Sequence, residues 1–195
     1  IKRVRRTESG FIQEAALLKR LRHPGIPIIY DLEIDENYYN LIEEYLCGES
    51  LYARIERTGS LQTGELIRLG IELCRIMNYL HSFKPNPILY LDLHPGNLLI
   101  CREQLKLIDF DQAALASLSQ ERSVCYGTKG FAAPEQYEGG TLDERTDIYA
   151  IGALLYYMGT GHAPEGEIKA GQGSCRGDLY ILMGRCLRTE KKERC

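Results

Sequence analysis

One hairpin constrains this chain more than any other stretch. Leu98 to Cys101 and Leu105 to Ile108 are short, mainly apolar runs separated by Arg102-Glu103-Gln104, a pattern that predicts two antiparallel strands and their turn. Asn97 stands just before the first run and Asp109 just after the second. An antiparallel pair brings the chain back to the end where it started, so the two residues, symmetric about Glu103, are expected side by side. An amide oxygen beside a carboxylate suits a hard cation such as Mg2+, which takes oxygen ligands and keeps waters for phosphates. Asp92 lies five residues before Asn97, in Tyr90-Leu91-Asp92-Leu93-His94-Pro95-Gly96-Asn97, and would hold a second carboxylate near the same metal-bound phosphate. Singly, Asp and Asn beside Pro and Gly are ordinary turn residues; only their combination points to chemistry.

The rest of the chain divides by texture. Phe11, Ala15, Leu18 and Leu21 recur at helical spacing until His23-Pro24-Gly25 interrupts them. Two strand-like runs follow, Ile26 to Ile34 and Tyr38 to Tyr45, with Asp35-Glu36-Asn37 as their turn. After Gly48 the pattern becomes helical. Leu66, Leu69, Leu73, Ile76 and Leu80 mark one long amphipathic helix. A polar stretch of some two dozen residues then runs to Pro134, a length more typical of a functional loop than of a connector. Ile148 to Met158 is apolar on all sides and predicts a buried helix. The fold class expected is therefore α+β, with a small strand-rich part ahead of a larger helical one.

Composition narrows the functions. A chain of 195 residues suits one domain or two small lobes around a cleft, and can bury roughly 70% of its unfolded surface. A net charge of −3 offers no basic field for nucleic acid. The seven cysteines are scattered, with no C-x-x-C pair and no His/Cys cluster. That distribution reads as reduced thiols in a cytoplasmic protein rather than a disulfide frame or a zinc site. The longest apolar run is too short to span a bilayer. The chain opens at Ile1 rather than Met and closes in a charged stretch, which reads as a fragment.

Taken in order, Asp92 and Asn97, Leu107-Ile108-Asp109-Phe110, Gly127-Thr128, Ala133-Pro134-Glu135 and Asp147 resemble the motifs of a protein kinase. Leu80-His81-Ser82 and Gly127-Thr128-Lys129-Gly130-Phe131-Ala132-Ala133-Pro134-Glu135-Gln136-Tyr137 are similar to the bacterial serine/threonine branch. The resemblance covers nearly the whole chain. It implies a two-lobed kinase-like fold, with a partial strand-rich lobe and connection over residues 1–47 and a mainly helical lobe over 48–195, cut short at its end.

The same resemblance implies roles, with ATP and Mg2+ as cofactors and a protein bearing Ser or Thr as substrate. Asp92 would accept or orient the hydroxyl proton, and Asn97 and Asp109 would hold Mg2+. Thr128 would contact Asp92. Glu44 to Leu46 would present backbone groups to adenine. Ile1-Lys2 matches the end of the family's V-A-I-K strand, so Lys2 would reach the phosphates and pair with Glu14. Glu14 shares an apolar helix face with Phe11, Leu18 and Leu21, where a carboxylate needs a partner. Alternatively, Lys2 belongs to a solvated basic cluster with Arg3, Arg5 and Arg6. Glu135 would pair with Arg194, and Asp147 would cap the buried helix.

Three positions depart from the family pattern. Leu91 replaces the arginine that receives an activation-loop phosphate, which puts regulation through Ser117, Ser119 or Ser123 in doubt. His94 replaces a lysine, and Asp111 replaces the glycine of D-F-G; both substitutions resemble small-molecule phosphotransferases of the aminoglycoside-kinase type. No glycine-rich lid precedes Lys2, so reduced nucleotide binding and activity are expected of this stretch alone. Three readings stand: an active serine/threonine protein kinase, a nucleotide-binding pseudokinase scaffold, and a small-molecule kinase. Oligomeric state is not readable from the sequence.

Overall fold

The computed structural model describes residues 1–5, 17–119, 127–165 and 177–194. Its first part is a three-stranded antiparallel sheet of β1 (Lys2–Arg5), β2 (Ile29–Ile34) and β3 (Tyr38–Glu43), in the order β1-β3-β2. Asp35 makes the β2–β3 turn, its carboxylate accepting from the backbone N–H groups of Asn37 and Tyr38 at 2.9 and 2.7 Å. Alternation along β3 turns Tyr39 and Leu41 inward, where they are buried. Both strands are shorter than the runs that predicted them. Residues 26–28 and 44–45 lie outside the sheet, where the chain enters and leaves the small part.

The predicted first helix, and Glu14 with it, lies mostly outside the described residues. Its end is visible: Leu18 and Leu21 are buried, and Leu21 N–H bonds Leu18 C=O at 3.0 Å, an i to i+3 closure that ends the helix ahead of His23.

Helices follow the connection at residues 44–48. After the two-residue strand β4 (Glu49–Ser50) comes α1 (Leu51–Thr58), with Ser50 as N-cap accepting from Ala53 N–H at 3.1 Å. The long helix α2 (Thr63–His81) buries Leu66, Leu69, Leu73, Ile76, Met77 and Leu80 along one stripe. Burying each such side chain is worth about 1.5–3 kcal/mol, which makes α2 the spine of the helical part. It packs on α5 (Glu144–Thr160), which is buried on most of its circumference, as its apolar run predicts. Gly161 ends α5 at φ +80°, and a Cβ there would lie 2.0 Å from Gly59 C=O, so only glycine fits that turn. The last helix, α6 (Gly177–Cys186), rests on α5 through Met183 and Cys186.

Two expectations require correction. Asp147 does not cap α5. Asp143 does, accepting from Arg145 N–H at 2.9 Å, while Asp147 sits one turn further on with its carboxylate directed across the molecule. The polar stretch before Pro134 is also not wholly irregular. β5 (Ile88–Leu89) pairs with β8 (Ala114–Leu115), and a single helical turn, α3 (Ala116–Ser119), follows.

Candidate functional site

The hairpin forms from β6 (Leu98–Cys101) and β7 (Gln104–Leu107). Its turn is two residues rather than three: Arg102 and Glu103 both take positive φ, +48° and +69°, and Cys101 pairs with Gln104. The shorter turn moves the register by one. Asn97 lies opposite Ile108, whose N–H bonds Asn97 C=O at 3.0 Å, and Asp109 is the next residue, at φ +59°. Helix α2 holds the turn from outside. Arg68 bonds Glu103 through its carbonyl and carboxylate, and Glu72 accepts from Leu105 N–H at 2.7 Å.

Asp92 precedes the hairpin on a segment gripped from below. Asp147, 1% exposed, accepts from the N–H groups of Tyr90 and Leu91 at 2.9 Å each, and its carboxylate also meets His81 Nε2 at 2.9 Å. Leu91 takes φ +68°, an unusual conformation for a leucine, and packs in a small apolar cluster with Leu89, Ala114 and Leu142. The Asp92 carboxylate accepts from Thr128 Oγ1 at 2.8 Å. Asn97 Nδ2 donates to Asp92 C=O at 3.1 Å and lies 3.5 Å from its Oδ2, which turns the Asn97 amide oxygen the other way. His94 accepts from Gly96 N–H at Nδ1, so in the neutral ring the proton sits on Nε2, 3.7 Å from Asp92 Oδ2.

Tyr90 ties these groups together. Its hydroxyl donates to the carbonyls of Ile108 and Asp109, the latter at 2.8 Å. Its pKa is pushed well above the ordinary phenol value, first by burial and then by the charges of Asp109 and Asp92, while a hydrogen bond with Asn97 acts in the opposite direction.

A cleft of about 340 Å3 opens between the sheet and the hairpin. Leu18, Ile29 and Leu41 line it from the sheet side, Leu99 and Ile108 from the hairpin, and residues 43–46 close its edge. Glu44 braces that edge. Its N–H bonds Ile28 C=O at 2.8 Å, and its carboxylate meets Lys106 of β7 at 3.3 Å. Lys2 and Asp109 line the polar end, with Lys2 Nζ 3.1 Å from Asp109 Oδ1 and also bonded to Asp111. Glu43 lies in the same wall. Burial raises its carboxyl pKa, against the lowering pull of Lys2.

Of the residues singled out in the sequence, the structure brings Asn97 and Thr128 each into contact with Asp92, and Lys2 into contact with Asp109. Glu44 and Leu46 line the cleft with Lys2 and Asp109. Glu14 and Ser123 lie outside the described residues. Glu43 stands outside the motifs, and Tyr90 and Gln136 stand within them with no role legible from the sequence. Period-two alternation from Tyr39 and Leu41 was a signal for Glu43. The four-residue helix α4 (Pro134–Tyr137), which carries Gln136, is too short to have a face.

The chain is similar in sequence to known proteins. The family model described as protein kinase domain matches residues 1–194. The chain is 33% identical over 162 residues to serine/threonine-protein kinase PrkC of Bacillus subtilis, covering 80% of this chain and 24% of that protein. It is 30% identical over 161 residues to integrin-linked protein kinase 1 of Arabidopsis thaliana, covering 78% and 34%. It is 30% identical over 168 residues to serine/threonine-protein kinase B of Synechocystis, covering 80% and 29%. The chain thus spans about a third or less of the length of these curated relatives.

Proposed function

The chain belongs to the protein kinase family, and from that premise we propose that it transfers the γ-phosphoryl group of ATP to serine or threonine hydroxyls of proteins. The observation that carries this reading is the Asp92 carboxylate, clasped by Thr128 and flanked by Asn97, beside a cleft whose polar end holds Lys2 and Asp109. The cleft suits a purine nucleotide. Its two faces are aliphatic, as a flat base requires, and the chain at its edge carries backbone groups on Glu44 and Leu46 that can pair with adenine. At the polar end, Asp109 Oδ and the Asn97 amide oxygen are hard donors that would hold Mg2+. When bound, the ion would neutralise phosphate charge during transfer.

The protein's own groups then have separate roles. Lys2 would bind phosphate oxygens, exchanging part of its contact with Asp109 and Asp111 for them. Glu14 is assigned as a counter-ion of Lys2 from its place in the sequence. Asp92 would orient the substrate hydroxyl and accept its proton, with Thr128 fixing one carboxylate oxygen and leaving the other toward the substrate. Transfer would not require a phosphorylated activation loop, because Leu91 is buried among Leu89, Ala114 and Leu142 and offers no charge to a phosphate.

The test uses the full-length protein, treated with phosphatase and then supplied with Mg2+, ATP and a generic protein substrate. Wild type is expected to label serine or threonine. Asp92→Asn should keep ATP binding and lose about 10²–10⁴-fold in transfer, whereas Asp109→Asn and Lys2→Met should weaken Mg2+-ATP binding. A wild type that binds ATP but transfers no more than Asp92→Asn would establish a scaffold instead. Labelling confined to small molecules would establish the aminoglycoside-kinase-like reading.

A further inference from the structure

Gln136 is 2% exposed, and both ends of its side-chain amide are engaged. Nε2 donates to Leu91 C=O at 2.8 Å, and Oε1 accepts from Ala133 N–H at 3.0 Å. The Leu91 carbonyl belongs to the peptide that joins Leu91 to Asp92. Because the Leu91 N–H is already held by Asp147 at 2.9 Å, this left-handed residue is gripped on both sides. The direction in which Asp92 leaves it is thereby set. The same amide packs against the segment that carries Thr128. A Cβ on Gly127 would lie 3.0 Å from Gln136 Nε2 and 2.3 Å from Ala132 Cβ, so residue 127 must be glycine for the segment to close over Gln136. Phe131 and Ala132 N–H both return to Thr128 C=O, at 3.0 and 2.9 Å, which makes 128–133 a compact turn footed on Gln136. Asp92 therefore has two supports, the Leu91 peptide below and the Thr128 hydroxyl beside it, and one buried amide bonds the first and the Ala133 end of the turn that carries the second.

We propose that Gln136 is a positioning residue for Asp92, coupling the strained Leu91 peptide to the segment that supplies Thr128. The proposal rests on Asp92 being the group at the substrate hydroxyl. The donor at Nε2 is the essential part, since Leu91 C=O can only accept. A glutamate at 136 would keep the oxygen for Ala133 N–H but set a second oxygen against Leu91 C=O. Burial against that carbonyl raises such a carboxyl's pKa, and once protonated its O–H can donate to Leu91 C=O as the amide does. Gln136→Glu is thus a variant that acid should repair. Gln136→Met, similar in shape, has no donor to restore.

The experiment measures single-turnover transfer and Mg2+-ATP affinity for full-length wild type, Gln136→Glu and Gln136→Met from about pH 8 to about pH 6. Hydrogen exchange of residues 90–93 and 127–133 is followed on the same proteins. At the alkaline end Gln136→Glu should transfer about ten- to a hundredfold more slowly than wild type, with ATP affinity within about twofold. The variant-to-wild-type ratio should climb as pH falls, while for Gln136→Met it stays flat. Exchange at both segments should be faster in Gln136→Glu at high pH and recover at low pH, with β1–β3 unchanged. A Gln136→Glu ratio that is flat with pH, or exchange unchanged in both segments, overturns the proposal. If wild type itself transfers nothing, the exchange data still decide whether Gln136 couples the two supports, and the failure then belongs to the kinase reading.

Discussion

Removing the partner of a buried guanidinium should unfold this protein more readily than any change at its cleft. Arg194 has a fully buried side chain and five N–H donors, and each has an acceptor. Nε donates to Arg188 C=O at 2.8 Å, Nη1 to Glu135 Oε1 at 2.6 Å and Arg145 C=O at 3.0 Å, and Nη2 to Glu135 Oε2 at 2.9 Å and Thr189 C=O at 3.0 Å. The guanidinium also lies 5.0 Å from the centre of the Tyr149 ring. One side chain thus ties the end of the described chain to α4 and to the first turn of α5. Glu135→Gln leaves that charge buried without its counter-ion, a loss of about 3–5 kcal/mol, which for a domain of this size corresponds to a fall of roughly 6–20 °C in Tm. Arg194→Lys should lie between wild type and Arg194→Met, because an ammonium brings three donors to five acceptors. Burial alone would raise the Glu135 pKa, but its hydrogen bonds and charge contact with Arg194 hold it below the ordinary value. A carboxylate depressed in the folded state contributes stability above its unfolded pKa and loses it as pH falls through the folded one. Urea unfolding of the two single variants and the double variant Glu135→Gln/Arg194→Met, repeated into the acid range, measures the coupling directly. A loss below about 1 kcal/mol for either single variant, the value of an exposed pair, would refute the reasoning. So would an acid dependence unchanged in Arg194→Met.

Two further outcomes follow from the site. Asp147→Asn puts an N–H2 where the Tyr90 and Leu91 amides need acceptors, so unfolding measurements should show a loss of about 1–3 kcal/mol, and transfer should fall with it because Asp92 is next in the chain. Glu43 has its pKa raised by burial; an acid raised on folding loses stability as pH climbs from the unfolded pKa through the folded one. Glu43→Gln should therefore raise Tm at about pH 7 and leave it nearly unchanged at about pH 4, close to the ordinary glutamate pKa. A stabilisation independent of pH would count against burial as the cause.

Much of the architecture was determined by the sequence alone, because it rests on local periodicity. The apolar spacing in α2, the all-apolar run in α5 and the two strand pairs each specify an element through which of their side chains must leave water. The order of motifs around Asp92, Asn97 and Asp109 likewise specifies the family by sequence alone. Tertiary structure decided what depends on register and on partners far apart in the chain. The one-residue shift of the β6–β7 turn is a difference of backbone φ at Arg102 and Glu103, to which the hydrophobic pattern of two short strands is nearly indifferent. Asp147 looks like a cap from its position at a helix start, but its carboxylate meets the amides of Tyr90 and Leu91, more than fifty residues earlier. Gln136 stands in a motif of the sequence, but nothing there says what its side chain meets. Its meaning comes wholly from the carbonyl of Leu91 and the N–H of Ala133, two backbone groups that only the folded chain brings to one buried amide. A backbone group has the same chemistry at every residue, so which one a side chain finds is settled by the fold.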